Sequence, residues 1–238
     1  MPVLYVGLDD TDMLDDAGTG QLARAVARRV SARMAGCELL GVSRHQLLLD
    51  SRVPCTRRNR CSCVAFLADV RLCQDLTDLA REVIIEGAVP GSDPGLCVAE
   101  VGRVGDGILA FGELAKKALV TQEEAIRRAA DAGIRLEPLG GTGDGIIGAL
   151  AAVGLRHRGN DGWLTLWRGL RELHGPMSVQ ELRCEGIDAV VDTSGRDLAA
   201  SEVIETDGRL RPSLKHGRKV LVVIREPGAL WQPRKITE

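Results

Sequence analysis

Residues 3–8, Val-Leu-Tyr-Val-Gly-Leu, form a short apolar run that ends abruptly in Asp9-Asp10-Thr11-Asp12. The run has the length and composition of a strand. Asp15 and Asp16 follow, then Gly18-Thr19-Gly20, and a helical pattern opens at Gln21. Asp9, Asp10 and Asp12 at one strand end raise one another's pKa unless a cation neutralises them. A hard divalent ion such as Mg²⁺ takes one or two carboxylates and fills its shell with water and phosphate oxygens. The Gly-Thr-Gly stretch lies just ahead of a helix N-terminus, where backbone N–H groups and the helix dipole favour an anion. The residues alone leave two readings. One is a metal clamp beside a phosphate cradle; the other is an acidic turn of the kind that caps helices.

A chain of 238 residues admits one large lobe with an appendage or two compact lobes. Apolar residues make up 45% and aromatic residues only 3%, so the core is aliphatic. The net charge of −2 provides no basic footprint, and nucleic-acid binding through this chain alone is not expected. No apolar run is long enough to span a bilayer, and the N-terminus has no leader pattern. A cytoplasmic protein without membrane contact is the expectation. Seven scattered cysteines imply reduced thiols.

Apolar spacing predicts helices over residues 18–34, 75–87, 106–119, 122–133 and 146–153, and strands over 38–50, 61–70, 96–101, 186–191 and 219–224. That alternation is of the α/β or α+β class, with a mixed sheet. The Gly and Ala content of residues 146–153 allows close approach to a neighbour. Thr121 is expected to cap a helix, with Glu124 completing a capping box. The texture changes near residue 176. Residues 1–175 are read as one domain and 176–238 as a small β-rich region.

Three further features are candidates for chemistry. The run Arg57-Arg58-Asn59-Arg60 carries guanidinium forks that match phosphate oxygens; such a run is also common on solvated surfaces. Cys55, Cys61, Cys63 and Cys73 lie close in sequence, but not at zinc-ribbon spacing. Cys61 and Cys63, two apart on a strand, are read as small core residues and no structural metal is expected. Gly105-Asp106-Gly107-Ile108 and Gly143-Asp144-Gly145-Ile146 share the form of an anion-accepting helix start, with Asp106 and Asp144 read as caps. His45, His157, His174 and His216 are read as ordinary residues.

Gly7-Leu8-Asp9-Asp10-Thr11-Asp12 followed by Gly18-Thr19 resembles the start of the archaeal tRNA-isoleucine agmatinylcytidine synthetases. Val53-Pro54-Cys55-Thr56-Arg57-Arg58-Asn59-Arg60 and the segment from Gly143 to Gly154 resemble two later stretches of that family, in the same order. The resemblance covers about residues 1 to 155. It implies a kinase-like ATP-binding domain, followed by a ferredoxin-like or small β-rich part. It implies ATP and Mg as cofactors, with Asp9, Asp10 and Asp12 holding the metal. It makes Thr19 a phosphoryl acceptor and places Thr11, Gly18, Arg58, Asn59, Gly143 and Gly145 around ATP. The departures are specific. Thr56 replaces a lysine, Asn59-Arg60 replaces Gly-Asn, and Asp144 replaces an arginine. The chain is too short for the family's tRNA-gripping OB-fold and zinc ribbon. The expectation is therefore an ATP- and Mg-dependent phosphotransferase or ligase acting on a small molecule. An RNA-modifying enzyme with a separate RNA-binding partner, or a nucleotide-binding regulator without turnover, are the alternatives.

Overall fold

Strand β1 (Val3–Asp9) is the middle one of five neighbouring strands of the first unit, which explains why its sequence is apolar on both faces. Leu4, Val6 and Leu8 point one way; Tyr5, Gly7 and Asp9 point the other. β1 pairs antiparallel with β3 (Arg60–Leu67) on one side and with β4 (Gly95–Glu100) on the other. β2 (Glu38–Gln46) pairs with β3 and β5 (Arg135–Pro138) with β4, giving the order β2-β3-β1-β4-β5. Helix α1 (Thr19–Arg33) follows β1, and α2 (Cys73–Gly87) follows β3. The chain order β-α-β-β-α-β with β1 between β3 and β4 is the split, ferredoxin-like arrangement. The protein is thus α+β, with an antiparallel main sheet.

The computed structural model describes residues 1–9, 19–53, 59–167, 169–208 and 210–236. They fall into two units, Met1–Arg158 and Gly159–Glu238. In the first unit, α1 and α2 cover the Leu4–Leu8 face. α1 buries Leu22, Val26 and Val30, and α2 buries Leu76, Ala80 and Ile84. The opposite face takes α3 (Asp106–Ala115), α4 (Gln122–Ala132) and α5 (Gly145–Arg158). Its core joins Tyr5, Cys61, Cys63 and Cys97 to Phe111, Ile146 and Leu150. Cys61 and Cys63 are core residues on that face, and burial pushes the Cys63 thiol up to about 12.

Helix α5 sits unusually close to the sheet. A side chain on Gly7 would collide with the Ala149 carbonyl, and one on Gly95 with the backbone of Gly145. Helix and strand therefore meet backbone to backbone at the carboxyl end of β1. This is the neighbour that the small residues 146–153 approach.

Several expected boundaries shift for visible reasons. Helix α3 ends at Ala115 rather than near residue 119, because the Ala115 carbonyl accepts from the Leu48 N–H (3.1 Å). Strand β2 ends at Gln46, short of the expected residue 50, although the Leu47 N–H still donates to the Asn59 carbonyl (2.9 Å) in register with the β2–β3 pairing. Thr121 does cap α4, accepting from the Glu124 N–H. The Glu124 carboxylate, however, accepts from Arg128 (2.7 Å). Asp106 is not a cap: Gly105 holds that position and makes no side-chain bond, while Asp106 lies inside the first turn.

The described part of the second unit is rich in β-structure. β11 (Arg218–Ile224) pairs antiparallel with β10 (Ser213–Lys215) and parallel with β8 (Ala189–Val191). β6 (Trp163–Leu166) joins β10, and β12 (Gln232–Pro233) joins β11. β7 (His174–Ser178) and β9 (Val203–Asp207) form a separate antiparallel pair. The β10–β11 hairpin turns through His216 and Gly217, both at positive φ (50° and 73°), as a two-residue hairpin requires. Helix α6 (Val179–Cys184) opens with a full capping box, Ser178 with Glu181. Leu164, Trp167, Leu182, Ile204 and Leu221 share its core.

Candidate functional site

The site is built at the carboxyl end of β1, where two helix N-termini arrive from opposite faces of the sheet. Asp9 is the last residue of β1 and is only 9% exposed. Its side chain lies on the α5 face. A Cβ on Gly148 would collide with the Asp9 carboxylate, so that carboxylate rests directly on the first turns of α5. The partial positive charge of a helix N-terminus favours an ionised carboxylate there. On the other face, Thr19 is the first residue of α1 and is 2% exposed, with Gly20 buried beside it.

Gly143 and Gly145 lead into α5. Gly143 has φ +92°, and its N–H is given to Asp93 Oδ1 (3.0 Å). Thr142 donates its hydroxyl to Asp93 Oδ2 (2.6 Å). Asp144 accepts from Gln122 Nε2 (2.7 Å). A Cβ on Gly145 would collide with the Asp93 carbonyl. These glycines therefore bring α5 against the 93–95 segment, and the chain's own Asp93 serves as the anion at that loop. Asn59 closes the β2–β3 end: its Nδ2 donates to the Leu48 carbonyl (2.7 Å).

Asp10, Thr11, Asp12, Gly18 and Arg58 lie outside the described residues, as does Cys55. Among the described residues, no group of three or more His, Cys, Asp or Glu side chains is placed to hold a metal ion.

Two polar features near the strand end were given no role by the sequence, which reads His45 as an ordinary residue. His45, on the α5 face of β2, is fully buried, with Nε2 2.8 Å from Ser43 Oγ. Ser43 Oγ also donates to the Cys63 carbonyl (3.3 Å). On the α1 face, Arg44 and Ser62 are direct cross-strand partners, and Ser62 is paired in turn with Leu8 of β1. The Arg44 guanidinium reaches the first turn of α1, 3.1 Å from where a Cβ on Gly20 would stand. Alternation along β2 marks Arg44 and His45 as opposite-facing. Nothing in the sequence says which face meets a helix start.

No protein-family model and no curated protein matches the sequence. Solved structures do. The crystal structure of apo TiaS, a tRNAIle2 agmatidine synthetase, is 30% identical with a TM-score of 0.53; the match covers 64% of this chain and 35% of that one. A tRNA fluorescent labeling enzyme is 30% identical with a TM-score of 0.55, covering 64% of this chain and 36% of that one. The complex of TiaS with its tRNA and ATP is 28% identical with a TM-score of 0.52, covering 65% and 36%. The chain thus spans about a third of the length of these relatives. Its N-terminal part is TiaS-like, a structural relative of the tRNA agmatidine synthetases.

Proposed function

We propose that this chain is an ATP-dependent transferase or ligase of the agmatidine-synthetase type, with the end of β1 as its phosphate and metal site. The observation that carries the reading is that Asp9 and Thr19 are both buried, Asp9 at the end of β1 against the first turns of α5 and Thr19 as the first residue of α1 on the other face. It stands beside 28% identity to a protein solved with ATP and a tRNA. The donor chemistry fits Mg²⁺: a poorly exposed carboxylate at a strand end, with Asp10 and Asp12 adjacent in sequence. When bound, that ion neutralises phosphate oxygens and the charge that develops on them.

The chain's own residues have separable parts in this reading. Asp9 holds the metal-bound end of the nucleotide. The first N–H groups of α1 orient the terminal phosphate. Thr19 presents its hydroxyl as the phosphoryl acceptor. In that transfer the bond from the γ-phosphorus to the β–γ bridging oxygen breaks and a bond to Thr19 Oγ1 forms. ADP leaves with the electron pair, and the hydroxyl proton passes to water or a carboxylate. Transfer of that group to an acceptor oxygen breaks the Thr19 Oγ1–P bond, restores the hydroxyl and turns the acceptor oxygen into part of a phosphate leaving group, which departs when the acceptor is attacked.

The acceptor class follows from the relatives. TiaS is solved with a tRNA and with agmatine, so a nucleobase in RNA joined to a small amine is the first reading. A small-molecule acceptor is the second, favoured by the net charge of −2. The test is calorimetry of ATP with and without Mg²⁺, on the wild type and Asp9→Asn, followed by label transfer from γ-labelled ATP. The reading expects Mg²⁺-dependent ATP binding that Asp9→Asn loses, and label on Thr19. Equal ATP affinity with and without Mg²⁺, or an unlabelled Thr19 in protein that is consuming ATP, would overturn it. Incubation with tRNA, free nucleosides and amines then separates the two acceptor classes.

A further inference from the structure

We infer that the tip of the β10–β11 hairpin in the second unit is a contact surface for the phosphate backbone of RNA, carried by Lys215 and Arg218 with His216 and Asn160 beside them. The inference rests on the RNA-acceptor form of the reading above and extends it to residues that the strand-end site does not use. The three segments that resemble the agmatidine synthetases all lie in the first unit.

The first observation is a charge arrangement that works against the fold. Lys215 and Arg218 are direct cross-strand partners on either side of the two-residue turn. Side chains so opposed leave the sheet on one face, with Cβ atoms about 4.5–5.5 Å apart, and like charges there repel. An opposite-charge pair would stabilise the same hairpin. Lys215, His216, Gly217 and Arg218 are all exposed, and Lys219 follows them. Asp188 is taken by Lys219, with Nζ 2.8 Å from Oδ2. Arg218 donates to the Asp188 carbonyl (3.1 Å), an uncharged acceptor that leaves its charge in place. The Lys215 ammonium has no carboxylate partner among the described residues.

The second observation concerns the backbone. His216, at φ 50°, stands where a two-residue hairpin favours Asn or Asp before Gly. The turn is braced from outside. The His216 N–H donates to Asn160 Oδ1 (3.2 Å) and the Gly217 N–H to the Gly159 carbonyl (2.8 Å). The Leu214 N–H donates to the Gly162 carbonyl (3.0 Å). The 159–162 segment thus fixes the backbone from which the two cations extend. Charges on a braced turn lose less freedom when they bind than charges on a loose one. Asn160 is itself exposed, and its amide nitrogen keeps two donors for a ligand.

The donor chemistry defines the partner. The tip presents an ammonium, a guanidinium fork and an amide N–H, which fits a polyanion. The fork matches phosphate oxygens, and the ammonium serves as a point charge. Two cations side by side suit successive phosphates of one strand. The amide and the imidazole suit a 2′-hydroxyl, which both donates and accepts. An anionic membrane is another polyanion, but surface helices and loops that bind one also insert apolar side chains, and residues 215–218 have none. A relative solved with a tRNA favours the same choice. The net charge of −2 does not oppose it, because the cluster is local. Phosphate contacts position an RNA without reading its sequence, and that is the part assigned to this tip.

The test uses the full chain and a labelled tRNAIle2 transcript, with anisotropy read at several salt concentrations. Vesicles containing phosphatidylserine, read by co-sedimentation, are the second probe. The variants are Lys215→Gln/Arg218→Gln, Lys215→Gln alone, and Arg33→Gln/Arg127→Gln, which removes the same charge from the first unit. ATP calorimetry and thermal melting are run on each. The wild type should bind the transcript, more weakly as salt rises. The tip double variant should lose tenfold or more in affinity. Its slope against salt should fall by about 1.4–1.8, since each lost phosphate contact removes about 0.7–0.9. It should melt at or above the wild-type temperature, because the opposed charges are gone. Lys215→Gln alone should lose several-fold in affinity, and carries the comparison if the double variant does not fold. The first-unit control should bind the transcript as the wild type does. Unchanged transcript affinity in the tip variants overturns the inference, as does an equal loss in the control. Tip-dependent vesicle binding without transcript binding also overturns it. ATP binding that persists through any of these leaves the nucleotide reading standing. Tip-dependent transcript binding by a protein that binds no ATP upholds the surface and overturns the nucleotide reading. A wild type that binds neither overturns both.

Discussion

Replacing Gly148 by alanine should destabilise the first unit, although the same change in most helices does the reverse. In an ordinary helix interior, glycine to alanine gains about 1 kcal/mol. At Gly148 the new methyl would collide with the Asp9 carboxylate and lie 2.8 Å from Asp9 Cβ. Neither partner can step back easily. Gly7 already meets the Ala149 carbonyl, and Gly95 meets the backbone of Gly145, so the helix rests on the sheet. Overpacking of this kind costs about 1–3 kcal/mol. With the upper end of that range set against the propensity gain, the net loss is about 2 kcal/mol, or roughly 4–8 °C in Tm for a domain of this size. Gly107→Ala in α3 is the control. Its new methyl meets only Arg128 Nη1, at 3.9 Å, and should raise the melting temperature by a few degrees. The assay is far-UV circular dichroism. Trp163, Trp167 and Trp231 all lie in the second unit, so tryptophan emission would report on the wrong part. A Gly148→Ala protein melting at or above the wild type would refute the packing argument. Unchanged Mg-ATP affinity in a destabilised Gly148→Ala would refute the link between that seat and the role of Asp9.

Other expectations follow from single features. The Cys63 thiol is held protonated by burial, up to about 12 against an ordinary 9, so the unfolded chain loses that proton first as pH rises. Stability should be full below pH 9 and fall between about pH 9 and 12. Urea melts of Cys63→Ala across that range should show a shallower alkaline decline. Ser178→Ala removes the cap of α6 and should cost about 1 kcal/mol, read by urea denaturation monitored through tryptophan emission. Arg81 donates to both oxygens of Glu137 (2.9 Å each) and also pairs with Asp78. Arg81→Ala should still cost no more than about 1 kcal/mol in thermal melts, because the groups are partly exposed.

The sequence by itself determined the local elements of this protein. Apolar content on both faces marks β1 as a covered strand, and the abrupt change at Asp9 marks its end. Thr121 signals its cap, and the spacing of Leu22, Val26 and Val30 signals the buried side of α1. These are short-range effects, decided by neighbours within a turn or a strand. The resemblance in three segments pointed to the same relatives that the structure matches. In two of those segments Gly7 and Gly145 make close backbone contacts that a side chain would break. Tertiary structure alone decided the rest. The Ala115 carbonyl ends α3 because Leu48, far away in sequence, supplies a donor. Glu124 turns from its cap to Arg128. Gly143 gives its N–H to Asp93, fifty residues earlier. Arg44 and His45 are adjacent, yet one meets the start of α1 and the other is buried beneath the α5 layer. Strand alternation puts them on opposite faces; only the packing of helices on each face decides what each one meets.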